Sequence, residues 1–224
     1  LMPRYGVPFA RKGRVMRPAR CSAFHGFAQG RVPVDVRYRL LGRDRAGFSV
    51  GFTVGAYDRR LPLVIDPELN YASYLGGVSY DEGAAIAVDG SGNAYLTGNT
   101  QSDEGSFPVA GGLDLTYNGG VSDAFVAELN AAGTGRVYCG YIGGGSLDAG
   151  SGIKVDAGGN AYVTGRTTSD QTTFPDGDGF GAVPGADKTQ NGNADAFVVK
   201  VAALGAGLSY ATYIGGNDND SGSG

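Results

Sequence analysis

One seven-residue phrase occurs three times, as Tyr71-Ala-Ser-Tyr74-Leu-Gly-Gly77, Tyr138-Cys-Gly-Tyr141-Ile-Gly-Gly144 and Tyr210-Ala-Thr-Tyr213-Ile-Gly-Gly216, and the second interval is slightly longer than the first. A second phrase, Ile86-Ala-Val-Asp89-x-x-Gly92-Asn93-Ala-Tyr95-Leu-Thr-Gly98, returns from Ile153 to Gly165, at the same offset as Tyr71 to Tyr138. A third, Asp123-Ala-Phe125-Val126, returns from Asp195, at the same offset as Tyr138 to Tyr210. The difference falls in one place: the stretch from Gly165 to Asp195 is longer than its counterpart from Gly98 to Asp123, while the other intervals are equal. Each unit therefore has a constant frame and one long loop of variable length, which is how repeat architectures carry insertions.

Within the first unit, four short runs rich in Val, Ile, Tyr, Phe and Ala are bounded by Gly, Asp, Asn and Ser, at 70–75, 84–88, 94–97 and 124–129. That pattern predicts four short strands per repeat, the blade of a β-propeller. The Asp-x-x-Gly-Asn link between the second and third runs predicts a hairpin, with Asp89 or Asp156 accepting turn N–H groups and Gly92 or Gly159, with the Asn after it, tolerating left-handed φ. In the last run Phe125, Ala127 and Leu129 share one face, yet Val126 on the other is also apolar, so neighbours are expected on both sides.

Composition agrees: 41 Gly, 9 Pro and no Trp in 224 residues favour an all-β chain of short strands and turns. Charge is divided unevenly. Residues 1–68 hold 13 basic and 5 acidic residues, whereas residues 69–224 hold 5 basic and 17 acidic ones, which puts a boundary near Pro67. The domains expected are a basic, poorly defined or disordered segment at 1–30, the end of an upstream β domain at 31–68, blades at 69–136 and 137–208, and the start of a third at 209–224. Cys21 and Cys139 make no disulfide framework. No apolar run is long enough for a membrane span, and the first residues lack the apolar stretch of a signal peptide.

These phrases resemble the SBBP repeat, a bacterial β-propeller-type repeat, over residues 69–224. Phe107-Pro108 and Phe174-Pro175 hold its Phe-Pro position, and Gly119-Gly120-Val-Ser-Asp123-Ala-Phe-Val-Ala-Glu-Leu129 its last strand. Upstream, the stretch from Arg39 to Pro67 resembles the end of the β-rich domain that often precedes such repeats. The resemblance implies a large secreted or cell-surface bacterial protein. A propeller closes with roughly four to eight blades, so two blades and a strand are expected to be a fragment.

Chemistry is sparse. The sole histidine, His25, lies in the least patterned segment, so a nucleophile–His site is not expected. Asp81 beside Glu82 recurs as Asp148 and Asp220 in the frame Gly-Gly-x-x-x-Asp-x-Gly, which favours a turn role over acid–base work. The segment Asp218-Asn-Asp220-Ser-Gly222 resembles the opening of a calcium loop, making Asp218 and Asp220 the candidate metal ligands. Gly143-Gly144-Gly145 lacks the Gly-Lys-Ser/Thr of a phosphate loop, and the basic N-terminus carries no nucleic-acid motif. Tyrosines three apart on a strand face opposite ways, so the Tyr pairs read as packing at blade contacts and not as one ligand-stacking ladder. The expected function is a non-catalytic scaffold that needs no cofactor and offers the loops 101–122 and 167–194 to a protein or glycan partner. A propeller-based polysaccharide hydrolase or lyase and a purely structural stalk are the alternatives. Exposed blade faces are expected to allow self-association.

Overall fold

The computed structural model describes residues 21–25, 32–44, 47–61, 63–67 and 71–223. It separates into two compact units, Leu1–Ala72 and Ser73–Gly224.

In the first unit, strand β1 (Cys21–His25) lies between β2 (Val32–Val34) and β5 (Leu63–Pro67), antiparallel to both. Strands β3 (Val36–Asp44) and β4 (Gly47–Val54) form a separate hairpin with a bulge between Leu40 and Gly42. The expected boundary at residue 30 is thus corrected in part. Cys21–His25 pairs residue for residue with Leu63–Pro67, so it belongs to the β domain and not to an unstructured arm. The flanking arginines had hidden a short strand. The rest of 1–30 lies outside the described residues.

The second unit is two four-stranded antiparallel sheets in simple up-and-down order. The first holds β6 (Asp81–Val88), β7 (Ala94–Thr100), β8 (Asp123–Leu129) and β9 (Arg136–Ile142). The second holds β10 (Asp148–Val155), β11 (Ala161–Thr167), β12 (Asp195–Val201) and β13 (Leu208–Ile214). Among the described residues the one helical element is a single 3-10 turn at Ala203–Gly205. The sheets do not close into a ring.

Three of the four expected runs fall inside β6, β7 and β8; the fourth does not. Residues 71–77 lie in no strand, and Asn70 lies outside the described residues. The Tyr-x-x-Tyr phrase instead supplies the last strand of the sheet before it. Its second copy is β9, reached from β8 through a tight turn where Asn130 N–H donates to Gly135 O at 3.0 Å and Gly133 N–H to Asn130 O at 2.8 Å. A strand that follows its neighbour through so short a turn pairs with it locally. Sheets are therefore cut one strand later than the sequence units, and the first Tyr phrase has no described hairpin partner.

The two sheets pack face to face. Tyr95, Val126, Tyr138 and Ile142 from the first sheet meet Ile153, Val163, Phe197, Val199 and Tyr213 from the second in one buried cluster. Phe125, Ala127, Cys139 and Tyr141 point the other way and are sealed by Phe107 from the long loop. Strand β8 is accordingly buried on both faces, and Tyr138 and Tyr141 lie on opposite sides of β9. The Phe-Pro position is the plug of each loop. Phe107 lies 5.4 Å from both Phe125 and Tyr141, and Phe174 lies 5.3 Å from Phe197 and 5.2 Å from Tyr213. Burying one such ring contributes about 1.5–3 kcal/mol.

Contact between sheets depends on glycine. A β-carbon at Gly150 would collide with the Thr97 hydroxyl and sit 3.1 Å from Gly98 O. At Gly222 the same construction meets the Thr164 hydroxyl and lies 3.1 Å from Gly165 O, so the segment after β13 meets the second sheet as β10 meets the first. Thr97 cannot simply turn away, because its hydroxyl donates to Phe125 O at 2.7 Å. Gly83 holds the corresponding place in β6, and nothing lies within 4 Å of its β-position. Gly150→Ala is expected to lower stability by about 1–3 kcal/mol through overpacking, and Gly83→Ala to change it by less than about 0.5 kcal/mol. Urea unfolding of the two variants checks this; equal losses would contradict it.

Candidate functional site

Three sets of carboxylates have defined surroundings. The first is the hairpin Asp. Asp156 accepts from Gly158 N–H at 2.9 Å, Asn160 N–H at 3.0 Å and the Asn160 side-chain amide, and Asp89 repeats the arrangement with Ser91 and Asn93. These donors, the Asn160 amide first, hold Asp156 at about 2. Gly92 (φ 94°) and Gly159 (φ 80°) take the left-handed turn position. The asparagines do not, contrary to the expectation from sequence: their amides clamp the aspartate instead.

The second set is the recurring aspartate of the Gly-Gly frame, and its place is structural. Gly77 N–H donates to Asp81 at 2.8 Å, Gly144 N–H to Asp148 at 2.8 Å, and Gly216 N–H to Asp220 at 2.8 Å. The Thr-x-Ser that ends the second strand of each sheet completes the clasp. Thr100 and Ser102 hydroxyls reach Asp81 at 2.5 and 3.2 Å, and Ser169 reaches Asp148 at 2.8 Å. Of the two candidate calcium ligands, Asp220 is this half-buried clasp, whereas Asp218 two residues earlier is exposed. Glu82, beside Asp81, receives the Tyr80 hydroxyl at 3.0 Å. His25 lies in β1 of the other unit.

Asp123 and Asp195, which open the third strand of each sheet, complete this set. Both are fully buried. Asn118 N–H donates to Asp123 Oδ2 at 2.8 Å and Asn191 N–H to Asp195 Oδ2 at 2.9 Å, while Oδ1 of each has no hydrogen-bond partner. Burial, helped by the charges of Asp148 and Asp114, pushes Asp123 up to about 8. Burial also raises Asp148.

The third set was not read from the sequence. The extra residues of the second unit fall between Phe174 and Asp187, the position that matches Asp114: each of these aspartates accepts from the N–H two residues on (Thr116 or Thr189) and offers its own carbonyl to a buried tyrosine, Tyr141 or Tyr213. That insertion supplies Asp176 and Asp178. Both line an open cleft of about 300 Å³ together with Asp114, Leu113, Tyr141 and Val183. Asp176 is pushed up to about 6, first by burial and then by its hydrogen bond to Asp178 and the charges of Asp178 and Asp114. Burial raises Asp114 as well. These two acidic residues hold no repeat position, and their length-variable setting was the available signal.

Buried Cys139 is a free thiol pushed up to about 12 by burial, which leaves it unreactive. Among the described residues no group of three or more His, Cys, Asp or Glu converges as a metal cage, and no helix is long and apolar enough to cross a membrane.

Asp123, Asp148, Asp114 and Asp176 all have folded values above the ordinary carboxylate range. The folded chain therefore holds more protons than the unfolded one between about pH 4 and pH 8, so stability falls as pH rises through that window. Asp156 has the opposite sign, and its contribution is lost only as pH falls below about 4. In chelator-containing buffer the melting temperature is expected to be higher at pH 5 than at pH 8, and Asp123→Asn is expected to flatten the difference. A wild-type profile that rises over this range would refute the assignment.

Comparison with known families gives two matches. The beta-propeller repeat SBBP matches residues 70–105, and a domain of unknown function (DUF7948) matches residues 12–68. The first covers one copy of the repeat, and the later copies follow from the internal phrases. The second spans β1 to β5. No curated protein matches the chain.

Proposed function

We propose that this chain, in which an SBBP beta-propeller repeat follows a DUF7948 domain, is part of a non-catalytic scaffold of an exported or cell-surface bacterial protein. Its sheets hold the variable loops 101–122 and 167–194 for a partner. The observation that carries this reading is the cleft between those loops. Each loop brings its own residues to it, Leu113 and Asp114 from one and Asp176, Asp178 and Val183 from the other. A rigid frame with its sequence variation gathered at one concave place is how binding sites are built on repeat scaffolds.

Its side-chain acceptors are carboxylates, so the ligand class is one rich in donors. A glycan, with a hydroxyl on nearly every carbon, fits an open cleft with acceptors beside apolar Leu113, Val183 and Leu208. Export is consistent with the strongly acidic repeat region and with the kind of protein that such repeats resemble.

A polysaccharide hydrolase is the second reading, because a carboxyl near 6 suits a general acid. The crowding of the pair argues against it. Asp178 adjoins Asp176 closely enough that its charge helps to raise it, whereas glycoside hydrolysis needs two carboxyl groups at least about 5 Å apart, with the sugar between them.

Glycan-array binding of the 224-residue chain, beside the Asp176→Asn/Asp178→Asn variant, tests the proposal. Binding to a glycan class that the variant loses, with its melting temperature unchanged, supports it. Binding to Lys- and Arg-rich peptides alone replaces the glycan with a protein partner. Absence of binding to either, or turnover of a bound glycan, refutes it.

A further inference from the structure

The junction between consecutive sheets brings two buried carboxylates to one point, and it does so independently of the loop cleft. Gly143 leads from β9 towards β10. The place where its β-carbon would be is 2.9 Å from Asp123 Oδ1 and 3.0 Å from Asp148 Oδ2. Both aspartates are fully buried. They come from different sheets, Asp123 opening β8 and Asp148 opening β10. Gly144 N–H and the Ser169 hydroxyl donate to Asp148 Oδ2, and Asn118 N–H donates to Asp123 Oδ2. Asp123 Oδ1 is left over, buried and unpartnered, and lies close against the glycine beside Asp148, whose own Oδ1 is also buried and unpartnered.

The arrangement is built twice. Above Gly215 the same point lies 2.7 Å from Asp195 Oδ1 and 3.0 Å from Asp220 Oδ2, and Asp195 Oδ1 is again buried and unpartnered. One orphaned carboxylate oxygen could be an accident of packing. Two at equivalent repeat positions, each beside a second carboxylate and close against a glycine, make it a feature of the repeat. Among the described residues no lysine or arginine salt bridge reaches Asp123 or Asp148.

We propose that Asp123 and Asp148 hold a divalent cation, calcium by their all-oxygen chemistry, which ties the first sheet to the second across Gly143. Two carboxylates a few ångströms apart in a buried place repel each other strongly, and an ion between them turns that repulsion into attraction from both sides. Calcium accepts six to eight oxygens in irregular geometry and draws on backbone carbonyls and water for the remainder. Magnesium, which demands a regular octahedron, suits two fixed carboxylates less well. With two charged ligands the site falls in the weak class of extracellular calcium modules, with a dissociation constant of about 10⁻⁴–10⁻³ M. At the second copy Asp220 is only half-buried and shares a groove with Arg166, whose charge opposes a cation, so the first copy is the site. Asn99 stands at that place in the first sheet.

Calcium chloride titrated into the chelator-treated 224-residue chain tests this by calorimetry, with terbium luminescence excited through tyrosine as an independent readout. Expected are one saturable calcium per chain, a rise in melting temperature with calcium, and terbium emission displaced by calcium in preference to magnesium. Asp123→Asn should weaken binding at least about tenfold while melting, without calcium, at or above the wild-type temperature. Asp81→Asn, at a clasp whose Gly76 meets Asp81 as its nearest neighbour, should bind calcium as the wild type does. No saturable calcium binding, or an Asp123→Asn chain that binds as the wild type, overturns the proposal and leaves Asp123 as a buried protonated acid.

Discussion

Gly150 lies so close over Thr97 and Gly98 that no side chain fits between them, and the stacking of one sheet on the next follows from that approach. Backbone against backbone sets the spacing of the two sheets at the start of β10. Once it is set, the larger side chains beside it, Tyr95 and Tyr138 from one sheet and Phe197 and Tyr213 from the other, fill the remaining depth. Gly222 over Thr164 and Gly165 shows that the contact is a property of the repeat and not of one junction. The open position at Gly83 shows the converse: the glycine is present whether or not a sheet lies against it.

Around that contact the repeat separates what must stay constant from what is free to vary. The clasp of Asp148 by Gly144 and Ser169, the hairpin clamp of Asp156 by Asn160, and the Phe174 plug all sit at fixed offsets in the repeat. The two aspartates accept backbone N–H groups of their turns, and the phenylalanine fills the space under its loop. The long loop needs only its plug and one aspartate before the next strand, Asp114 or Asp187, whose carbonyl receives the N–H of a buried tyrosine. Between plug and aspartate the two copies differ in length, and there the second copy inserts the residues that bring Asp176 and Asp178 to the cleft.

Most of the frame was legible in the sequence because it is periodic. Three recurring phrases located β6, β7 and β8, the hairpins, and the loop that varies. The same evidence misplaced the sheet boundary, since periodicity fixes the length of a repeat but not where along it one sheet ends. That depends on which turn is short enough to join neighbours, and the turn from Asn130 to Gly135 decides it. Strand β1 escaped notice because so short a run between arginines carries too little pattern to identify a partner as distant in the chain as Leu63–Pro67. The cleft was illegible for the opposite reason to the frame: Asp176 and Asp178 recur nowhere, and nothing local in the sequence says that Asp114 approaches them.

Burial of Asp123 shows how far a repeat can move a side chain from its intrinsic preference. On its own, Asp-Ala-Phe-Val reads as a strand entered from a polar turn, with the carboxylate in water. Stacking puts the next sheet over that turn, so a group suited to the surface of one repeat is buried at the boundary of two. A carboxylate there must take up a proton, find donors or meet a cation. Asn118 supplies one donor and no second is in place for Oδ1. Asp148 adds a second carboxyl at the same glycine, where an apolar residue would have sealed the junction without any charge. Two acids kept where none is needed for packing place a requirement for positive charge at the joint between sheets, whether a proton or a metal ion meets it.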